Sequence, residues 1–130
     1  MYKQVFIIDD DEVSIFLTEA TLTIENFASE YKTFTCAEAA LAALTASING
    51  TSPAPLPEVI FLDLNMPLMS GWDLLEALTL YEAQLTGQCR FFILTSSVDE
   101  QETKRADKYQ LVAGFLQKPL EEETILRLKQ

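Results

Sequence analysis

Four short stretches of this chain carry the residues able to do chemistry, and each follows an apolar run. Asp9, Asp10 and Asp11 come directly after VFII (5–8), and Asp63 comes directly after VIFL (59–62). Thr95, Ser96 and Ser97 follow RFFIL (90–94), while Gln117, Lys118 and Pro119 follow VAGFL (112–116). The inventory is carboxylates, hydroxyls and one ammonium, in a chain of 130 residues with no histidine. Without imidazole there is no Ser-His or Cys-His dyad, no histidine zinc site and no imidazole acid–base catalysis. What remains is carboxylate, hydroxyl and lysine chemistry, or a bound hard metal.

Singly, each group has an ordinary role. An acidic triplet at a strand exit caps a helix or turns in solvent, a threonine after a strand caps, and a lysine before proline is solvated. Four such groups at four of the chain's strand ends make a different case. Asp9, Asp10 and Asp63 together carry about three negative charges, of which Lys118 offsets one. A divalent cation would neutralise the remainder. An all-oxygen donor set favours Mg²⁺, Mn²⁺ or Ca²⁺ over zinc, and the spacing is not that of an EF-hand loop. Mg²⁺ fits best, since it takes few carboxylates, keeps waters and pairs with phosphate; Mn²⁺ is the alternative ion.

The elements that must position these groups alternate. Residues 5–8 read as a strand. A helix over 11–28 carries a stripe of Val13, Phe16, Leu17, Ala20, Ile24 and Phe27, expected to face the core. Residues 31–35 read as a second strand, and Thr35-Cys36-Ala37-Glu38 as a capping box opening the next helix. After the Pro-rich loop 49–58 comes Val59–Leu62, then a helix capped by Ser70 and running to about Leu85, with Leu74, Leu75 and Leu78 inward. Residues 90–94 and 112–116 complete five strands. Between them lies a polar helix over 99–109, and Pro119 opens a final helix.

Strict strand–helix alternation argues for an α/β fold: a doubly wound parallel sheet, of flavodoxin-like order 2-1-3-4-5, whose working crevice lies beyond the carboxyl ends of the strands. The length fits one domain over residues 1–130, with no room for an appended output domain. A formal net charge of −11 speaks against direct binding of nucleic acid or an anionic membrane, and no apolar run is long enough to span a bilayer. Cys36 and Cys89 show no C-x-x-C pattern and are expected as two buried thiols in a reducing, cytoplasmic compartment.

VFIIDDDEV, VIFLDLNMPLMSGWDLL, FILTSSVD and GFLQKPL together resemble the receiver domain of two-component response regulators, over essentially the whole chain. The resemblance implies roles. Asp63 is the phosphoacceptor; Asp9, Asp10, Asp63 and the main-chain carbonyl of Asn65 hold Mg²⁺; Lys118 reaches the phosphoryl group. Thr95 is the switch hydroxyl and Phe115 the aromatic that rotates behind it, altering the face made by the polar helix, the fifth strand and the last helix. Asp11 is expected at the helix start rather than on the metal. The partners implied are a histidine kinase or histidine phosphotransfer protein upstream and a protein target downstream, with a homodimer through the switching face left open. The polar helix lacks an apolar stripe, as suits a segment that shifts. Asn65 and Ser97 flank the route of a hydrolytic water, and neither is a carboxylate, so no built-in general base is expected.

Two other readings compete. A metal-dependent phosphatase of the haloacid dehalogenase type also forms an aspartyl phosphate, but it needs a second carboxylate where Asn65 stands. A degenerate receiver serving only as a binding module would lack one of the acidic pair, Asp63 or Lys118, and all are present.

Overall fold

The computed structural model describes residues 1–96 and 98–129. Five strands, β1 (Tyr2–Ile8), β2 (Ala28–Phe34), β3 (Val59–Leu62), β4 (Arg90–Thr95) and β5 (Val112–Gln117), form one sheet in the order β2-β1-β3-β4-β5. Every pairing is parallel, as expected for this alternation. The helices are α1 (Glu12–Ile24), α2 (Ala37–Asn49), α3 (Gly71–Leu78), α4 (Glu82–Leu85), α5 (Glu100–Ala106) and α6 (Glu122–Leu128). A 3₁₀ turn over Thr79–Tyr81 joins α3 to α4.

The central strands carry the contiguous apolar runs Val5–Ile8, Val59–Leu62 and Phe91–Leu94 because helices cover both faces of the sheet. On one face Phe6, Ile8, Ile60, Leu62, Phe91 and Ile93 pack with Ala40 and Leu44 of α2 and Leu74, Leu75 and Leu78 of α3. On the other, Val5, Ile7, Val59, Phe61, Phe92 and Leu94 pack with Ile15 and Leu22 of α1 and Ile125 of α6. The register sets the functional edge. Ile8 pairs with Leu62, Leu62 with Ile93, and Ile93 with Phe115, so the residues following each of these run off the same end of the sheet.

Several boundaries differ from the sequence-based expectation, for local reasons. Helix α1 stops at Ile24, where Glu25 and a left-handed Asn26 (φ 53°) turn the chain into β2. Its buried residues are Ile15, Thr18 and Leu22. The stripe expected to be core is outside instead: Val13, Phe16, Leu17 and Ile24 are 66, 69, 55 and 76% exposed. Phe27 is buried, but it lies beyond the helix. The helix carries two apolar stripes, and the exit of β1 together with the Asp11 cap fixes which one meets the sheet.

Helix α2 is preceded by Cys36, whose side chain makes no cap bond, so the expected Thr35–Glu38 box does not form. The helix after Ser70 breaks at Leu78 rather than running unbroken to Leu85. Pro119 lies ahead of α6, which is entered through Glu121, and the Lys118–Pro119 peptide is cis. The polar helix shrinks to α5, capped by Asp99, with Ala106 its buried residue. Among the described residues no helix is long and apolar enough to cross a membrane.

Candidate functional site

At the carboxyl edge of the sheet, β1 and β3 deliver their carboxylates side by side. The Asp63 N–H donates to the Ile8 carbonyl at 2.9 Å, and the Asp9 N–H donates to the Phe34 carbonyl at 3.0 Å. The backbone pairing thus carries one residue past each strand and holds both acids at the lip. Asp9 and Asp63 are buried and Asp10 is exposed. One carboxylate oxygen from each of Asp9, Asp10 and Asp63 lies within 4.8 Å of the others. Asp11 turns away: its Oδ1 accepts from the N–H groups of Val13 and Ser14, capping α1 as expected.

Lys118 enters from the loop after β5. Its ammonium contacts Asp9 Oδ2 at 2.6 Å, while Asp9 Oδ1 accepts from the Asp11 N–H at 2.9 Å. Asp9 therefore has a partner on each oxygen. Asp63 is less well compensated. Burial pushes its carboxyl up to about 6; Lys118 and the Asn65 N–H oppose that rise, while Asp9 and Asp10 add to it. A site where burial, and then neighbouring negative charge, makes ionisation costly is one that gains from a cation. Three convergent carboxylate oxygens without histidine or thiolate suit a hard divalent ion of the Mg²⁺ type.

The β3–α3 loop is fixed by one close approach. The Gly71 N–H donates to the Leu64 carbonyl at 3.0 Å, and a Cβ at Gly71 would stand 2.5 Å from the Asp63 carbonyl oxygen. Only glycine lets α3 begin this close to the backbone of Asp63. Ser70 accepts from the Asp73 N–H, and Asp73 accepts from the Ser70 N–H, a full capping box. Leu68, in the same loop, is left-handed (φ 68°) and 97% exposed. The Asn65 side chain is exposed, and its main chain lies beside Asp63 through the N–H contact.

Thr95 ends β4 and is buried, and its carbonyl accepts the Lys118 N–H at 2.6 Å, which ties the hydroxyl's strand to the lysine's loop. Phe115 is half-buried, beside Ile93 on the edge strand β5. The expectation placed on Ser97 falls outside the described residues. Apart from Phe115, which lies within β5, the remaining expected site residues come from the loops and strand ends at one edge of the sheet.

What the sequence reading missed is the ground next to them. The exposed apolar face of α1 borders a groove of about 300 Å³ lined by Asp11, Val13, Leu17, Thr18, Lys118 and Leu120. The signal was present in the sequence: α1 has too many apolar residues for one buried stripe. Gly71 stands in the Met69-Ser70-Gly71 stretch of the quoted motif, but nothing there said that it would meet the Asp63 carbonyl.

Solved structures of the same architecture exist. A two component response regulator from Cytophaga hutchinsonii shares 24% identity at TM-score 0.87, covering 98% of this chain and 93% of that one. A response regulator receiver protein from Dyadobacter fermentans shares 27% at TM-score 0.81, with 97 and 94% covered. The Vibrio cholerae chemotaxis protein CheY4 shares 23% at TM-score 0.75, with 98 and 96% covered. No curated protein sequence matches the chain. The family described as response regulator receiver domain matches residues 5–129. With that span and the fold in agreement, the chain belongs to the response regulator receiver domain family.

Proposed function

We propose that residues 1–130 act as a single phosphoacceptor receiver domain, taking a phosphoryl group on Asp63 from a phosphohistidine of a partner protein. The carrying observation is the convergence of Asp9, Asp10 and Asp63 within 4.8 Å, with Lys118 on Asp9. Asp63 Oδ attacks phosphorus, an Oδ–P bond forms, the P–N bond breaks, and its electron pair stays on the imidazole nitrogen. Asp9, Asp10, Asp63 and the Asn65 main-chain carbonyl would hold Mg²⁺, or Mn²⁺, whose charge offsets that of the phosphoryl oxygens. Lys118 offers a second positive contact, and the burial of Asp9 and Asp63 keeps water from diluting these interactions.

The donor's docking ground in this reading is the exposed α1 face, Val13, Phe16 and Leu17, continuous with the groove that reaches Lys118. Output passes by protein contact. The acyl phosphate draws the Thr95 hydroxyl inward, Phe115 follows, and the surface formed by α5, β5 and α6 changes for a downstream protein. Homodimerisation through that surface is the variant of this output. The two free thiols support a cytoplasmic setting.

The test is intact-mass measurement after incubation with acetyl phosphate and Mg²⁺. A gain of one phosphoryl group, released by hydroxylamine and absent in Asp63→Asn, is expected. An unmodified chain, or rapid turnover of a phosphomonoester substrate, overturns the proposal, the second outcome in favour of a phosphatase.

A further inference from the structure

Helix α5 is polar along its length, and of its seven residues Ala106 is the buried one. It is nonetheless attached to α3 through four side chains. The Arg105 guanidinium lies over the Trp72 ring, 4.4 Å from its centroid. Trp72 and Tyr109 face each other with ring centroids 6.1 Å apart at 31°. The Tyr109 hydroxyl donates to Glu76 Oε2 at 2.9 Å. Trp72 and Glu76 are one turn apart on α3, while Arg105 and Tyr109 stand at the same spacing across the end of α5, so the four side chains close into a two-point clasp.

Both ends of this clasp are tied to the site. Trp72 directly follows Gly71, whose position against the Asp63 carbonyl leaves no slack. Helix α5 belongs to the segment after Thr95, and the Tyr109 carbonyl accepts the Val112 N–H where β5 begins, three residues before Phe115. A guanidinium on an indole and a hydroxyl on a carboxylate are directional interactions. Unlike a broad apolar seam, they fail once the partners move apart by about an ångström or two.

We propose that the Trp72–Arg105–Tyr109–Glu76 clasp is a latch, holding α5 against α3 while Asp63 is a carboxylate and opposing the displacement that phosphorylation drives. This rests on the receiver reading above and adds the element that sets its threshold. By linkage, interactions that favour the carboxylate state weaken binding of any phosphoryl mimic, and removing them strengthens it by the same factor.

The test uses the full chain, Mg²⁺ and beryllium fluoride as the phosphoryl mimic. Trp72 is the one tryptophan, so its emission reports the clasp directly. Tyr109→Phe removes only the hydroxyl, Arg105→Ala removes the cation, and Lys104→Ala, on the exposed Glu100 pair, is the control. Loading is expected to change Trp72 emission. The half-saturating beryllium fluoride concentration is expected to fall roughly threefold or more in Tyr109→Phe and Arg105→Ala, and to stay put in Lys104→Ala. Melting temperature measured without fluoride separates the roles, since a merely structural interaction lowers it without moving half-saturation. Unchanged emission, or half-saturation equal in parent and clasp variants, overturns the latch alone. Failure of the parent to bind beryllium fluoride, followed by fluorine NMR, overturns the receiver reading and the latch with it.

Discussion

Lys118 Nζ stands 2.6 Å from Asp9 Oδ2, joining two residues 109 positions apart in the chain. The carboxylate is buried, whereas the lysine keeps 21% of its side chain exposed, so the pair is half inside and half at the lip. Removing the cation strands a buried charge, which is costlier than losing an exposed pair.

Lys118→Ala is therefore expected to destabilise the metal-free protein by about 2 kcal/mol, below the 3–5 kcal/mol typical of deeply buried pairs. Urea unfolding checks this, and Asp9→Asn placed on top of it restores most of the stability. The proposed Mg²⁺ binding is expected to survive in Lys118→Ala, because the oxygens of Asp9, Asp10 and Asp63 remain. A double variant no more stable than the single would show that Asp9 is not the group left unpaired.

Asp63 sets a pH dependence. Its folded carboxyl is pushed up to about 6 from the usual 3.8, so the folded protein holds this proton more tightly than the unfolded chain. Ionising Asp63 thus costs stability, an effect absent below the unfolded value and complete above about pH 6. Asp63→Asn is expected to stabilise the protein at pH 7.5 in EDTA by on the order of 2 kcal/mol, with the gain vanishing near pH 4. Thermal melts across that range test it; a gain that persists at low pH contradicts the assignment.

Gly71→Ala sets two effects against each other. Alanine favours a helix by up to about 1 kcal/mol over glycine, less in the first turn. A Cβ placed 2.5 Å from the Asp63 carbonyl oxygen meets backbone that no side-chain rotation can relieve. The clash wins, at about 1–3 kcal/mol. The expected result is a lower urea midpoint together with slower acetyl phosphate labelling, since the displaced backbone carries Asp63, the proposed phosphoacceptor. Full-rate labelling would show that the loop relaxes without moving Asp63.

The two thiols should behave differently. Burial pushes the Cys89 thiol up to about 12, whereas Cys36 is half-buried, in contrast to the two buried thiols expected from sequence. Ellman's reagent at pH 8 is expected to modify one thiol in the native protein and the second only after unfolding. Rapid reaction of both, or protection of Cys36→Ser no greater than the parent's, would contradict this.

The architecture and the edge of the site were legible because both are written locally. A parallel strand covered on both faces must be a contiguous apolar run, and the residue that ends such a run leaves the sheet at the crevice. VFII-Asp9 and VIFL-Asp63 therefore announce strand, exit and carboxylate together. Parallel register did the rest, aligning Ile8 with Leu62 so that the acids meet.

The rotation of α1 was not written locally. Periodicity shows that a helix has an apolar stripe but does not choose between two, and the choice of Ile15 and Leu22 over Phe16 and Leu17 was made by the β1 exit and the Asp11 cap. Likewise nothing in GWDLLEAL or DEQETKRADKY says that Arg105 will lie on Trp72 or that Tyr109 will reach Glu76. Sequence by itself determined which residues stand at the ends of five strands. The tertiary structure alone decided which helix faces remain outside and which helices are tied together, because those outcomes depend on side chains meeting across long stretches of chain.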